Sequence, residues 1–124
     1  MPVASIGGRN LFYDWEDYTP PWNPGEWAVF HLGYARSRHF WYEWLPQLCS
    51  DYRCLRFDMR GHGDSAPLGV DEEPTLEALA ADVVALLDHV GIERAHFVGE
   101  SLAGVVGIWL GAFYPERFLS LIHI

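Results

Sequence analysis

Residues 96–104 read HFVGESLAG, and this stretch decides the fold. A short apolar run predicts a buried strand that ends at Gly99, and the apolar segment after it predicts a helix that starts at Ser101. Small residues lie on both sides of the serine, at Gly99 and Ala103, with Gly104 next. A sharp strand-to-helix turn needs such neighbours because the backbone approaches itself closely. The stretch therefore predicts a tight corner with Ser101 at its tip.

A serine held at such a corner is a candidate nucleophile. The first backbone N–H groups of the following helix carry positive partial charge, so the N–H of Leu102 is a candidate donor to an oxyanion on a substrate carbonyl. The alternative is that Ser101 only caps the helix. A plain cap does not need small residues on both sides, so the pattern favours the nucleophile, with Gly99, Ala103 and Gly104 as support for the turn.

Outward from this corner, apolar runs and amphipathic spacing predict alternating strands and helices. An exposed pair of strands is predicted within 5–15, and buried strands are predicted over 27–32, 52–59, 95–99 and 118–124. Helices are predicted over 37–49, where Pro46 is expected to kink or restart the helix, over 75–90 and from 101 to before Pro115. The second helix has Thr75 as N-cap and Gly91 as its stop, with Glu77 and Asp82 on the polar side. Strands alternating with helices predict an α/β fold, a mostly parallel sheet with helices on both faces.

Composition excludes several classes of function. The net charge is −9, with only eight Lys and Arg residues, and they are scattered, which argues against nucleic-acid binding. No signal peptide and no apolar run of about 18 residues is visible, so we expect a cytoplasmic protein that does not span a membrane. The two cysteines, Cys49 and Cys54, are expected to be reduced core residues, with a disulfide as the alternative.

Three motifs together resemble the α/β-hydrolase superfamily. They are WAVFHL (27–32) followed by Gly33, RFDMRGHGDS (56–65) and VGESLAG (98–104), in that order. They are most similar to those of 3-oxoadipate enol-lactonases and related small-molecule hydrolases. The resemblance covers nearly the whole chain but two thirds or less of the family's core. It implies that residues 1–124 are the N-terminal portion of a single α/β-hydrolase domain, incomplete at the C-terminus.

The resemblance also implies site residues. The residue after the Leu32-Gly33 pair is Tyr34, whose backbone N–H would be the second oxyanion donor beside that of Leu102. The implied function is hydrolysis of small carboxylic esters or lactones by Ser101, with no cofactor and no metal. Ser101 is not a carboxylate, which argues against the dehalogenase branch, while carbon–carbon bond hydrolases and perhydrolases stay open.

Other polar residues near these motifs are interpreted as structural. His62 and Asp64 belong to a loop that Asp58 and Arg60 are expected to hold by charge-assisted hydrogen bonds. Glu100 adjoins the serine, and its side chain is expected to point away from it.

The base and acid of a triad are not visible after Ser101. Glu116 lies beyond a predicted helix that carries it about 20 Å away at about 1.5 Å per residue, and His123 has no acid partner in the sequence. The second hypothesis is therefore a catalytically inert truncated fragment that binds a ligand or a partner without turnover. The apolar last strand also predicts self-association through its exposed edge.

Overall fold

The computed structural model describes residues 2–33 and 36–124. Its strands are β1 (Val3–Ile6), β2 (Arg9–Glu16), β3 (Glu26–His31), β4 (Tyr52–Phe57), β5 (Ala95–Gly99) and β6 (Phe118–His123). A 3₁₀ helix (Arg38–Trp44) runs into the short α1 (Leu45–Leu48), followed later by α2 (Leu76–Val90), α3 (Leu102–Phe113) and a 3₁₀ turn (Pro115–Arg117). These elements match the predicted alternation.

The six strands form one sheet in the order β1-β2-β4-β3-β5-β6. The β1–β2 and β2–β4 pairs are antiparallel, whereas β4–β3, β3–β5 and β5–β6 are parallel. A helical segment crosses between each parallel pair, as parallel neighbours require. The predicted α/β class with a mostly parallel sheet is confirmed.

Alternate residues of the central strands face two separate cores. On β3, Trp27 and Val29 belong to the core that contains buried residues of α2 and α3, whereas Ala28 and Phe30 belong to the core under α1 and the 3₁₀ helix before it. Successive side chains of a strand point to opposite faces of the sheet. Helices therefore cover both faces, as predicted.

The ends of α2 follow its predicted caps, but one of its side chains was predicted wrongly. The Thr75 hydroxyl accepts from the N–H of Ala78 at 3.1 Å, and Gly91 ends the helix with φ of 87°. Asp82, which was predicted on the exposed polar side, is buried. It accepts two hydrogen bonds from the Arg60 guanidinium, at 2.7 and 2.8 Å, so a charged partner from the loop brings it into the core.

The helix predicted over 37–49 is two short helices. A 3₁₀ helix covers Arg38–Trp44, and only Leu45–Leu48 is α-helical. Pro46 lies in the first turn of the α-helix, the place where a missing N–H costs no hydrogen bond. Proline inside a continuous α-helix would remove a bond and clash with the preceding turn, so the helix restarts at this point.

The last strand was predicted to be buried, and the structure corrects this. β6 lies at the end of the sheet, and of its residues only Phe118 is buried, while Leu121 and Ile122 are exposed. Within the described residues no strand covers its outer edge. Self-association through this edge stays a prediction.

Both cysteines are free thiols and buried, as expected. Burial raises the pKa of Cys49 and that of Cys54, the latter to about 12, so both are protonated near pH 7. None of the helices in the described part of the chain is both long enough and apolar enough to cross a bilayer.

Candidate active site

Ser101 lies at a sharp corner between β5 and α3. Its backbone has φ of 57° and ψ of −115°, a region that L-residues rarely adopt and that costs about 1–3 kcal/mol where it is maintained. A Cβ on Gly99 would lie 2.5 Å from the carbonyl oxygen of Ala103, so the corner requires glycine at that position. Ser101 itself is exposed. The tight turn predicted from the sequence is present.

Neighbouring strands hold the backbone of this corner on both sides. The N–H of Glu100 donates to the carbonyl of His31 at 3.2 Å, and the N–H of Ser101 donates to the carbonyl of Ile124 at 3.0 Å. The serine is therefore fixed by the sheet, and its strained angles are maintained by bonds from β3 and from the residue after β6.

The two small residues after the serine have different surroundings. Ala103 is fully buried and its carbonyl lies against Gly99. Gly104 makes room for another element, since a Cβ there would lie 1.9 Å from the ring of His123. Gly104 thus lets β6 pack against the first turn of α3, and Gly99 and Ala103 form the corner.

Leu102 is the first residue of α3. Its N–H has no helical acceptor, as for every residue in a first turn, and within the described residues it donates no hydrogen bond outside the helix. It is therefore an unused, polarised donor directly after Ser101 in the chain. Tyr34, the other predicted oxyanion donor, lies outside the described residues.

Gly33 lies directly against the corner and is bonded to it. Its N–H donates to Oε2 of Glu100 at 2.9 Å, and a Cβ on Gly33 would lie 3.1 Å from Cβ of Ser101. The other carboxylate oxygen of Glu100 is 3.6 Å from Nε of Arg36. The Glu100 side chain thus connects the serine corner to the loop after β3, a contact that sequence reasoning missed because it joins residues 67 positions apart.

The loop after β4 is tied down by buried charge, as predicted. Asp58 is fully buried and accepts from the N–H of Arg38 at 2.6 Å, from the Arg38 guanidinium and from the N–H of Asp64 at 3.0 Å. The Ser65 hydroxyl donates to the Asp58 carbonyl at 2.6 Å. Asp64 pairs with Arg38 at 3.1 Å, and its role here is structural.

No histidine is hydrogen-bonded to the Ser101 hydroxyl among the described residues. His123 packs on Gly104, and Glu116 lies beyond the far end of α3. His31 is buried, and this burial lowers its pKa to about 4, so it is neutral near pH 7. The residues described here also contain no cluster of three or more His, Cys, Asp or Glu side chains that could hold a metal ion.

The chain is similar in sequence to several curated proteins. The chain is 39% identical over 93 residues to 3-oxoadipate enol-lactonase 1 of Acinetobacter baylyi, which covers 75% of the chain and 34% of the relative. It is 40% identical over 87 residues to bifunctional epoxide hydrolase 2 of Mus musculus, covering 68% of the chain and 16% of that protein. The chain thus spans about a third or less of the length of these curated relatives.

Solved structures agree with the topology described above. The enol-lactonase from Burkholderia xenovorans superposes with a TM-score of 0.84 at 33% identity, covering 94% of this chain and 44% of that one. Est816, described as an N-acyl homoserine lactone degrading enzyme, superposes with a TM-score of 0.84 at 28% identity, covering 98% and 44%.

A family model described as alpha/beta hydrolase fold matches residues 28–124. The matched region begins in β3 and includes the strand, the corner and the helix around Ser101. With the sheet order and the relatives above, this establishes that the chain belongs to the α/β-hydrolase family.

Proposed function

We propose that this region carries the nucleophile of a hydrolase acting on small carboxylic esters or lactones, and that Ser101 is that nucleophile. The observation that carries the proposal is the exposed serine held at φ of 57° between a buried strand and a helix N-terminus. A position that stores backbone strain is retained where it serves a site. A surface serine that only capped a helix would adopt extended backbone angles at no such cost.

In the proposed reaction the Ser101 hydroxyl attacks the substrate carbonyl, and its proton passes to a general base. The N–H groups of Leu102 and Tyr34 would stabilise the resulting oxyanion. The alcohol leaves with the proton, and water then hydrolyses the acyl-enzyme. The base and its acid partner are proposed to lie in the part of the longer relatives that is outside the region matched by this chain.

The ester and lactone class is supported by the names of similar proteins. Two of them are enol-lactonases and one degrades an acyl homoserine lactone, so each acts on a carboxylic ester closed into a ring. One relative is named as an epoxide hydrolase, so a protein similar over this region is named for another substrate class. The proposed substrate class, esters or lactones, therefore depends on Ser101 being the nucleophile.

The second candidate is a chain that binds without turnover. It is favoured by one observation, namely that no described histidine is hydrogen-bonded to the Ser101 hydroxyl. A serine without a base retains only the contributions of the oxyanion hole and of substrate binding, which are far weaker than the complete triad.

Fluorophosphonate labelling separates the two candidates. Trypsin cleaves after Arg94 and Arg117, so Ser101 is the single serine of peptide 95–117. Because the base is not among the described residues, we expect an alkyl fluorophosphonate to modify this peptide slowly in the folded chain, at the rate that the oxyanion donors and binding support, and to spare it after unfolding in urea. Mass spectrometry of the digest measures the adduct. A folded chain whose peptide 95–117 stays unmodified would support binding without turnover.

Glu100 is proposed as a positioning residue for this reaction. Glu100→Ala removes the acceptor of the Gly33 N–H, and a hydrogen bond to a charged group contributes about 1.5–3 kcal/mol. We expect labelling of Ser101 to slow by about 10-fold or more, because the loop that carries Tyr34 is released. Glu100→Gln keeps an acceptor oxygen and is expected to recover most of the rate. Equal slowing in both variants, or slowing that follows the melting temperature, would contradict the positioning role.

A further inference from the structure

A buried histidine next to the serine corner has one ring nitrogen without a hydrogen-bond partner. His31 is the last residue of β3, and its side chain is only 1% exposed. Its Nδ1 lies 3.1 Å from the carbonyl oxygen of Leu32, whereas its buried Nε2 has no partner in the described part of the chain. Buried polar atoms are nearly always paired, so this exception points to a role beyond packing.

The pocket of His31 suits the neutral ring and opposes the charged one. Two buried phenylalanines meet the imidazole edge-on, Phe57 at 4.7 Å and Phe97 at 6.0 Å between ring centroids. Because the Leu32 carbonyl can only accept, Nδ1 carries the proton of the neutral ring and Nε2 keeps its lone pair. A second proton on Nε2 would therefore create a cation in an apolar site with no acceptor among the described residues.

Neighbouring charges do not compensate such a cation. The titratable and charged side chains on this side of the sheet, apart from the outer face of α2, are Asp82 on α2, Arg60 and His62 after β4, Arg53 on β4 and His123 on β6. Asp82 is bonded twice to the Arg60 guanidinium, and α3 contains no ionisable residue. The Glu100 carboxylate, at the corner, is already bonded to the N–H of Gly33. A protonated His31 thus lacks a carboxylate of its own.

This environment makes the enclosed position sensitive to acid. Burial lowers the pKa of His31 to about 4, against the hydrogen bond to the Leu32 carbonyl, which raises it, and together with the charge of His62, which lowers it. A ring released into water titrates near 6.5. Between these two pH values the released ring binds more protons than the enclosed ring. The enclosed position is therefore fully stable above about pH 6.5 and loses stability as the pH falls toward 4.

The backbone of His31 carries this sensitivity to the serine corner. Its carbonyl accepts from the N–H of Glu100 at 3.2 Å, and it pairs with Gly99 across β3 and β5. On the other side, the pairing of β3 with β4 already ends at Phe30. His31 is thus held by one neighbouring strand only, so the end of β3 can open while the rest of the strand stays paired on both sides.

We propose that His31 is an acid-sensitive switch under the serine corner. In acid its ring takes a proton from the solvent and leaves the apolar pocket, so the end of β3 separates from β5. The bond from Glu100 to His31 is then lost, and the backbone that keeps Ser101 in its strained conformation is released. At neutral pH the ring loses the proton and returns. The consequence for chemistry at Ser101 rests on the proposed function, whereas the opening itself does not.

Hydrogen exchange measured by NMR on the folded chain at pH 7 and pH 4.5 tests the switch. After correction for the intrinsic exchange rate, protection of the Glu100 N–H is expected to fall by on the order of 10-fold or more in the wild type between these pH values. His31→Phe keeps an aromatic ring beside Phe57 and Phe97 but cannot titrate, so its protection is expected to stay within about 2-fold. His31→Gln is a second variant that cannot titrate, and the same result is expected.

The controls separate this switch from general acid unfolding. His39→Gln changes an exposed histidine and is expected to keep the wild-type response, while the N–H of Val83, inside α2, is expected to stay protected in every variant. Labelling of Ser101 should fall more steeply in acid in the wild type than in the His31 variants. An equal loss of protection at Glu100 in the wild type and both His31 variants, or a loss of the same size at Val83, would overturn the proposal, whether or not Ser101 is labelled.

Discussion

Ser101→Ala is expected to abolish labelling of peptide 95–117, which then contains no serine, and to remove ester hydrolysis at this corner, because the nucleophile is gone. The fold should be kept because the side chain is exposed and alanine tolerates the position as well as serine does. Hydrolysis of a short p-nitrophenyl ester and a thermal melt measure the two effects. Wild-type activity in this variant would place the chemistry elsewhere.

The same position tests the strain argument through stability. Ser101→Gly should lose activity as Ser101→Ala does. Because glycine adopts positive φ at no steric cost, the free energy of unfolding of the glycine variant should be larger than that of the alanine variant by about 1 kcal/mol. At an ordinary position glycine is the less stable of the two by about 0.4–1 kcal/mol. The sign of the difference is therefore diagnostic. A glycine variant less stable than the alanine variant would mean that the corner is not strained.

Asp58→Ala is expected to lower the free energy of unfolding by about 3–5 kcal/mol, the usual effect of removing one partner of a buried ion pair. Arg38, itself buried, would lose its most enclosed carboxylate. Burial alone would lower the pKa of Arg38, but hydrogen bonds to Asp14 and Asp64 and the charge of Asp58 raise it, so the guanidinium stays charged. We expect the melting temperature to fall by roughly 10–20 °C.

Asp64→Asn is the matched control for this prediction. Asp64 contacts the same guanidinium at 3.1 Å, but its side chain is 54% exposed, and exposed pairs contribute about 1 kcal/mol or less. Equal shifts in melting temperature for the Asp58 and Asp64 variants would show that burial of Asp58 does not matter. A large loss confined to Asp58 would support the loop-anchoring role.

Local features of the chain were predictable from the sequence because short-range sterics produce them. Gly99 and Ala103 predicted the corner at Ser101, and Thr75 and Gly91 predicted both ends of α2. Each of these depends on the backbone angles or hydrogen bonds of residues within a few positions. The restart of the helix at Pro46 also has a local cause, because proline lacks an N–H and clashes with the preceding turn.

Pairs of distant residues were not predictable. Asp82 reads as a surface carboxylate on an amphipathic helix, and only the approach of Arg60 from another loop explains its burial. Glu100 and Gly33 are likewise unremarkable in sequence. Their contact exists because β3 and β5 are neighbours in the sheet.

The sequence by itself determined the α/β class, the position of the strained serine and the caps of its longest helix, because periodicity, small residues and capping act locally. The tertiary structure alone decided which charges are buried, that Glu100 holds the loop after β3, and that His96 is hydrogen-bonded to both Ser120 and Glu26. Those contacts depend on strand order and register, which place residues far apart in the chain within a hydrogen bond of one another.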